Sequence, residues 1–440
     1  MSKTYYIETY GCQMNVADSE LIKSILHDEG YRISENMMQA DAIFVNTCAI
    51  RDHAEEKVHS QLGRFDLIKK QQPDTIIGVL GCMAQNLKHE LLDNRPFVDI
   101  ILGPDSYRRL PALLKRKEKQ KKSIVDTSLS RFEVYDDLFP HRDKGVNAWI
   151  SIMRGCDKFC SFCIVPFTRG RERSRNIKSI VNEVKQVVRD GYSEITLLGQ
   201  NVNSYHYNNY NFSQLLDAVA QIPALKRIRY TSPHPQDITD ELLNTMLKYN
   251  NICNYIHLPL QAGSDKVLKR MNRSYTRDYF IGLTEQIRKK LPGVGISTDI
   301  IVGFPGETDE DFQETLYVMK KVRFDSAFNF KYSPRPGTKA NEYDDQINES
   351  IKQKRLEQII KLQKKHTYRR NLELIGTIQT VLVERESKMS DNYWAGRTDS
   401  NKWVVFPKDD AHINDLVLIQ VTDARGITLR GKLISHAEAA

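Results

Sequence analysis

The segment Arg154-Gly155-Cys156-Asp157-Lys158-Phe159-Cys160-Ser161-Phe162-Cys163 sets three cysteines at C-x3-C-x2-C spacing, and no fourth ligand follows. A closed zinc site or an electron-transfer iron–sulfur site takes four protein ligands. Three thiolates on one tight loop can hold three corners of a four-iron cube and leave one iron open to chelate a small molecule. The alternative is a zinc knuckle that borrows a distant ligand. The loop follows directly on an apolar β-rich run at 148–153, so it is expected at the C-terminal end of a strand, where parallel α/β folds bind their ligands.

That run opens an alternating series. Strand patterns at 148–153, 194–198, 226–231, 254–259, 295–302 and 325–332 are separated by helical patterns near 177–190, 212–221, 239–248, 276–290 and 308–322. Six such units predict an open, partial (βα)6 parallel barrel. A long basic helix is expected at 348–373. Upstream, strand patterns at 4–9, 42–47, 75–80 and 98–102 alternate with helical ones such as 17–29 and 52–71, which predicts a parallel α/β N-terminal domain. Beyond 376, short runs at 377–384, 403–406, 416–422 and 427–434 lie between turns such as Asp391-Asn392 and Arg425-Gly426. They predict a small C-terminal all-β barrel. The expected boundaries are 1–118, a charged linker at 119–145, 146–374 and 375–440.

Composition narrows the partners. No run of about 18 apolar residues and no signal-peptide pattern appears, so a cytoplasmic protein with no membrane partner is expected. The seven cysteines, an odd number, argue against a disulfide framework. The net charge of +8 is concentrated, with +5 in each of 115–122, 154–178 and 348–373. Such surfaces suit a polyanion such as RNA. Arg169, Arg171, Arg173 and Arg175, at alternate positions beside the cysteine loop, are the expected phosphate or substrate contacts; a solvated helix face is the alternative for any single run. Nothing demands an oligomer, and a monomer is expected.

Cys12, Cys48 and Cys82 are unrelated by spacing, yet each lies just past a predicted strand: Tyr10-Gly11-Cys12, Asn46-Thr47-Cys48 and Leu80-Gly81-Cys82. In a parallel sheet with right-handed crossovers those strand ends share one edge. Three thiolates from three loops can therefore converge on a second cluster, again with one iron uncovered; three buried structural thiols are the alternative. Cys253 lies outside both sets and reads as a core or surface thiol. The barrel's strand ends carry Gly199-Gln200-Asn201, Ser232-Pro233-His234, Leu258-Pro259-Leu260-Gln261, Gly303-Phe304-Pro305-Gly306-Glu307 and Tyr332-Ser333. His234 and His257 read equally as structural histidines or participants.

The C-x3-C-x2-C spacing resembles the radical S-adenosylmethionine (SAM) superfamily. Further motifs narrow the resemblance to its methylthiotransferases: Tyr-Gly-Cys-Gln-Met-Asn (10–15), Asn-Thr-Cys (46–48), Gly-Cys-Met-Ala-Gln (81–85), the run 154–175, and His257-Leu258-Pro259-Leu260-Gln261-Ala262-Gly263-Ser264. The β-rich tail is similar to a TRAM domain. The resemblance spans essentially the whole chain and implies two [4Fe-4S] clusters. Cys156, Cys160 and Cys163 would hold the cluster that cleaves SAM, and Cys12, Cys48 and Cys82 an auxiliary one. Phe162, Gly199, Gln200, Ser232, Gln261, Arg273, Gly303 and Tyr332 are the expected SAM contacts. Trp394 and Trp403 are candidate RNA-stacking residues of the tail, which has eight Lys/Arg against nine acids and so no bulk positive charge.

Gly11-Cys12-Gln13-Met14-Asn15 and the stretch from Pro166 to Arg175 most resemble the branch acting on tRNA that carries N6-(dimethylallyl)adenosine (i6A) just 3′ of the anticodon. The implied reaction places a methylthio group on adenine C2. One SAM would methylate a sulfur on the auxiliary cluster's open iron, and a second would supply the radical that removes the C2 hydrogen. An electron donor such as a flavodoxin or ferredoxin, and a sulfur source, are further implied partners. The alternatives are threonylcarbamoyladenosine in tRNA or a ribosomal-protein aspartate as substrate, or a metal-containing RNA-binding protein without activity.

Overall fold

The computed structural model describes residues 3–48, 52–388 and 390–437. The N-terminal domain is a six-stranded, all-parallel sheet in the order Arg32–Ile33, Thr4–Tyr10, Ala42–Thr47, Ile76–Gly81, Ile100–Leu102, Ile124–Asp126. Its central strands are buried on both faces, as helix-covered parallel strands must be; Phe44, Val45, Val79 and Leu80 are wholly inaccessible. The strand order reverses beside Thr4–Tyr10, which makes the C-terminal edge there a crevice.

The expected linker at 119–145 is not one. Ile124–Asp126 forms the sheet's last strand, and Tyr135 is buried against Tyr107, its hydroxyl donating to Pro104 O at 2.8 Å. A three-residue strand in charged surroundings carries too little periodicity to be seen; pairing with Ile100–Leu102 creates it.

The second domain holds six parallel strands in two three-stranded sheets: Asn147–Ser151, Glu194–Leu198 and Arg227–Tyr230, then Tyr255–His257, Gly295–Val302 and Ser326–Lys331. A single bridge, Ile228–Ile252, links the halves. Among the described residues the first and last strands do not pair, so the barrel is open. The intervening helices start where the sequence supplies caps. Asn176, Asn211, Thr239, Thr276 and Thr308 each accept a backbone N–H of the first turn, a contribution of about 1 kcal/mol apiece. The long helix Glu349–Leu372 lies along the last strand.

The tail is a closed five-stranded barrel. The stretch Ser390–Thr398, in which Asp391-Asn392 reads as a turn, is a strand paired on both sides. Its first polar residues, Asp391 and Asn392, face solvent, so composition hides it. This small barrel plugs the N-terminal end of the large one. Arg229 pairs with Glu194 at 2.8 Å and donates to Thr398 O at 2.8 Å, Arg397 pairs with Glu194 at 2.9 Å, and Lys402 pairs with Asp325 at 2.8 Å. The tail therefore sits opposite the end that carries the cysteines. Among the described residues no helix is long and apolar enough to cross a membrane.

Candidate active site

Cys12 caps the helix Gln13–Asp28, Cys48 follows the strand Ala42–Thr47, and Cys82 opens the helix Cys82–Leu87. The pairings Tyr10–Thr47 and Thr47–Gly81 bring the three strand ends level. Two glycines let the loops close. Gly11 has φ +124°, and a Cβ there would stand 2.5 Å from the Cβ of Cys48. Gly81 has φ +89°, and a Cβ would run into the Asn46 amide. Two buried asparagines tie the motifs together. Asn46 Nδ2 donates to Asn15 O and Ser19 Oγ, both at 2.9 Å, while Asn15 Oδ1 accepts from the Cys12 N–H at 3.3 Å. The motifs contain both residues, but nothing in their spacing discloses the contact. Hydrogen bonding with Cys48, helped by the nearby Arg169 charge, outweighs burial and lowers the Cys12 thiol to about 6. Burial pushes Cys82 up.

The second set lies on the expected loop. The Cys163 N–H donates to Cys160 O at 3.0 Å, and that of Cys156 to Gly170 O at 3.2 Å. Burial raises Cys156 to about 11 and Cys163 to about 12. Beside the loop opens a cavity of about 310 Å³ bordered by Cys160, Cys163, Phe159, Phe167 and Lys269. The two sets are neighbours. Ile164, next to Cys163, packs on Cys82, and the helix Val165–Arg169 lies against Cys82–Leu87. Cys12 packs with Met14 and Ala17 against Leu198 and Trp149 of the barrel.

Buried ion pairs hold this junction. Asp18 meets Arg154 at 2.9 Å and Arg169 at 2.7 Å; Asp105 meets Arg173 at 2.9 Å; Arg175 meets Glu183 at 2.6 Å. Arg169, Arg173 and Arg175 are thus interior residues, not the phosphate contacts their alternation suggested. Asp18, Asp105 and Glu183 supply the buried charges that these three turn towards. Arg171 alone of the four is exposed; it pairs with Asp157 at 3.2 Å and covers Phe159. In the tail, Trp394 is buried with Nε1 donating to Ala411 O at 2.7 Å, which removes it as a stacking surface. Trp403 is partly open and flanked by Arg385 and Arg397.

The expected SAM contacts divide. Gln200 Oε1, Gln261 Oε1 and Tyr332 Oη are buried without a hydrogen-bond partner. Gln261 and Ser232 have left-handed backbones at strand ends, φ +67° and +56°. Such orphaned groups fit a polar ligand that completes them. Phe162 stands edge-on to Phe304, and Gly199 packs on Met153. Arg273 is turned to the cysteine loop, donating to Cys160 Sγ at 3.3 Å. At Gly303 a Cβ would strike Lys352 of the long helix, whose side chain fills that side of the turn. His234 is structural, its Nδ1 accepting from the Gln236 N–H, and burial lowers it to about 3. His257 contacts Ser297 and Asp299. Cys253 is a core thiol.

Each set offers three soft thiols, which suits iron–sulfur ligation with one corner open. Among the described residues no three His, Cys, Asp or Glu side chains close on the position of one metal ion, so neither set is drawn together as a mononuclear site would be.

Three family models match in succession: "Uncharacterized protein family UPF0004" at 4–103, the radical SAM superfamily at 150–317 and the TRAM domain at 373–434. The tRNA-2-methylthio-N(6)-dimethylallyladenosine synthase of Amoebophilus asiaticus is 47% identical over 99% of this chain and 93% of its own. That of Azobacteroides pseudotrichonymphae is 48% identical over 97% and 96%. The chain belongs to this radical-SAM methylthiotransferase family. The methylthiotransferase shares its fold with the radical-SAM methyltransferase TsrM from Kitasatospora setae, with TM-score 0.59 and 13% identity over 78% of this chain and 77% of that one.

Proposed function

We propose that this enzyme methylthiolates C2 of i6A at position 37 of tRNA, next to the anticodon, giving 2-methylthio-N6-(dimethylallyl)adenosine. The reading includes two [4Fe-4S] clusters and two SAM per product. The observation that carries it is the adjacency, across one domain junction, of two three-thiol sets. The names of the relatives favour i6A.

No side chain can remove the unactivated C2 hydrogen, so bound SAM and the reduced cluster supply the radical chemistry, and the protein supplies position. Cys156, Cys160 and Cys163 would hold that cluster, and Cys12, Cys48 and Cys82 the auxiliary one. Gln200, Gln261 and Tyr332 present buried polar atoms that SAM would satisfy, and Phe162 and Ser232 border the same strand ends. Ile164 packs on Cys82 where the two sets adjoin. Arg171 and Trp403 remain as RNA contacts. A small redox protein such as a flavodoxin or ferredoxin would deliver electrons.

The test is anaerobic turnover of the reconstituted, reduced protein with SAM on tRNA bearing i6A and, separately, threonylcarbamoyladenosine, read by nucleoside mass spectrometry. A methylthio mass gain on i6A alone is expected. A gain only on threonylcarbamoyladenosine moves the substrate, and no gain on either, with both clusters loaded, removes tRNA as substrate.

A further inference from the structure

Arg169 departs from the other arginines of the junction. It is 3% exposed and comes from the barrel domain, yet it lies against Cys82 and close to Cys12. One arm is used: Nη2 meets Asp18 Oδ2 at 2.7 Å. The other, Nη1, is buried with no oxygen or nitrogen to accept from it, and the Cys82 thiol is the neighbour of the guanidinium. Among the described residues the remaining arginines with an unpartnered buried nitrogen lack a partner only at Nε, along the stem side of the fork. A guanidinium has five N–H donors and no way to shed its charge, so a buried Nη with only a thiol beside it calls for a stronger acceptor. Neutral thiols are weak acceptors; a sulfur anion is a strong one.

The clamp between the domains does not need this arm. Arg154 also reaches Asp18, at 2.9 Å, and Arg173 takes Asp105 with both Nη atoms, at 2.9 and 3.1 Å. Arg169 alone of these has a terminal Nη left over, and it stands beside Cys82.

We infer that Arg169 holds an anionic sulfur ligand, hydrosulfide or methanethiolate, at the position that Cys12, Cys48 and Cys82 leave open. The inference rests on the auxiliary-cluster reading above. Arg169 is a positioning residue in this role: it touches the sulfur being carried and fixes where that sulfur faces the barrel.

The experiment uses the full chain loaded with iron and sulfide, as wild type, R169K, R169Q and the charge-neutral pair D18N/R169Q. Sodium methanethiolate is titrated in, and its binding is followed in the electron paramagnetic resonance spectrum of the reduced auxiliary cluster. Affinity is expected to fall at least about tenfold in R169Q and D18N/R169Q, and less in R169K, which keeps the charge but loses the fork. The auxiliary midpoint potential should also fall when the cation is removed. Equal affinity and potential in wild type and R169K together with either Gln variant overturn the inference and leave Arg169 a structural clamp. A wild type that loads only one cluster overturns the auxiliary-cluster reading instead. If R169Q fails to load, R169K and the double variant decide.

Discussion

The two thiol sets are assembled by opposite means. Cys156, Cys160 and Cys163 sit on one continuous loop whose own backbone hydrogen bonds, such as Cys163 N–H to Cys160 O, shape it. Cys12, Cys48 and Cys82 come from three strand ends and meet only because the sheet register, two glycines and two buried asparagines bring them together. The local set is ordered along the chain and leans on one distant turn, where Met271 O and Arg270 O accept from Ser161. The assembled set depends on distant residues, and a barrel arginine, Arg169, adds to the Cys48 hydrogen bond in lowering the Cys12 thiol.

The largest effect that separates the sets is chemical. Replacing any of the six cysteines by alanine should abolish turnover, but C12A should retain the loop cluster and C156A the auxiliary one, each with about half the wild-type iron. Full product from C12A would defeat the auxiliary role.

Next is D18N, which strands the Arg154 and Arg169 charges in the interior and should lower stability by about 3–5 kcal/mol in urea unfolding. D157N, which breaks the exposed pair with Arg171, should change it by less than about 1 kcal/mol. Burial raises the Asp18 carboxyl, but Arg154 and Arg169 together bring it below its ordinary value. Its folded pKa lies below the unfolded one, so its stabilisation is present above about pH 4 and is lost as pH falls further. D18N should flatten the acid limb of the stability profile; an unchanged limb would remove Asp18 as its source.

G81A should destabilise by about 1–3 kcal/mol and loosen iron retention at the assembled set. Gly30 has a similar φ, +83°, but open space around it, so G30A should cost about 1 kcal/mol and leave both clusters intact. Smallest is R171Q, which should weaken tRNA binding slightly and reduce its salt slope by about one. An effect of R171Q on melting temperature larger than on RNA affinity would place that residue with its buried neighbours.

Legibility followed locality. The six barrel strands and the long helix could be read because β-rich runs and capping residues recur at regular intervals. The edge strand Ile124–Asp126 and the strand Ser390–Thr398 could not, being respectively too short and too polar to carry a period. All six cysteine positions were visible as strand-end residues. The contacts around them were not: Asn15 and Asn46 lie 31 positions apart and gain their partnership only on folding.

The four alternating arginines show where the limit falls. Charge count alone makes Arg169, Arg173 and Arg175 a surface, but Asp18, Asp105 and Glu183, from two different domains, make them interior. By itself the sequence determined the domain order, the barrel and the loop that carries three thiolates, because spacing and periodicity are properties of neighbouring residues. Tertiary structure decided which thiols face each other, which glycine turns are already filled and which arginines see water, because burial and charge pairing depend on residues the chain brings together only after it has folded.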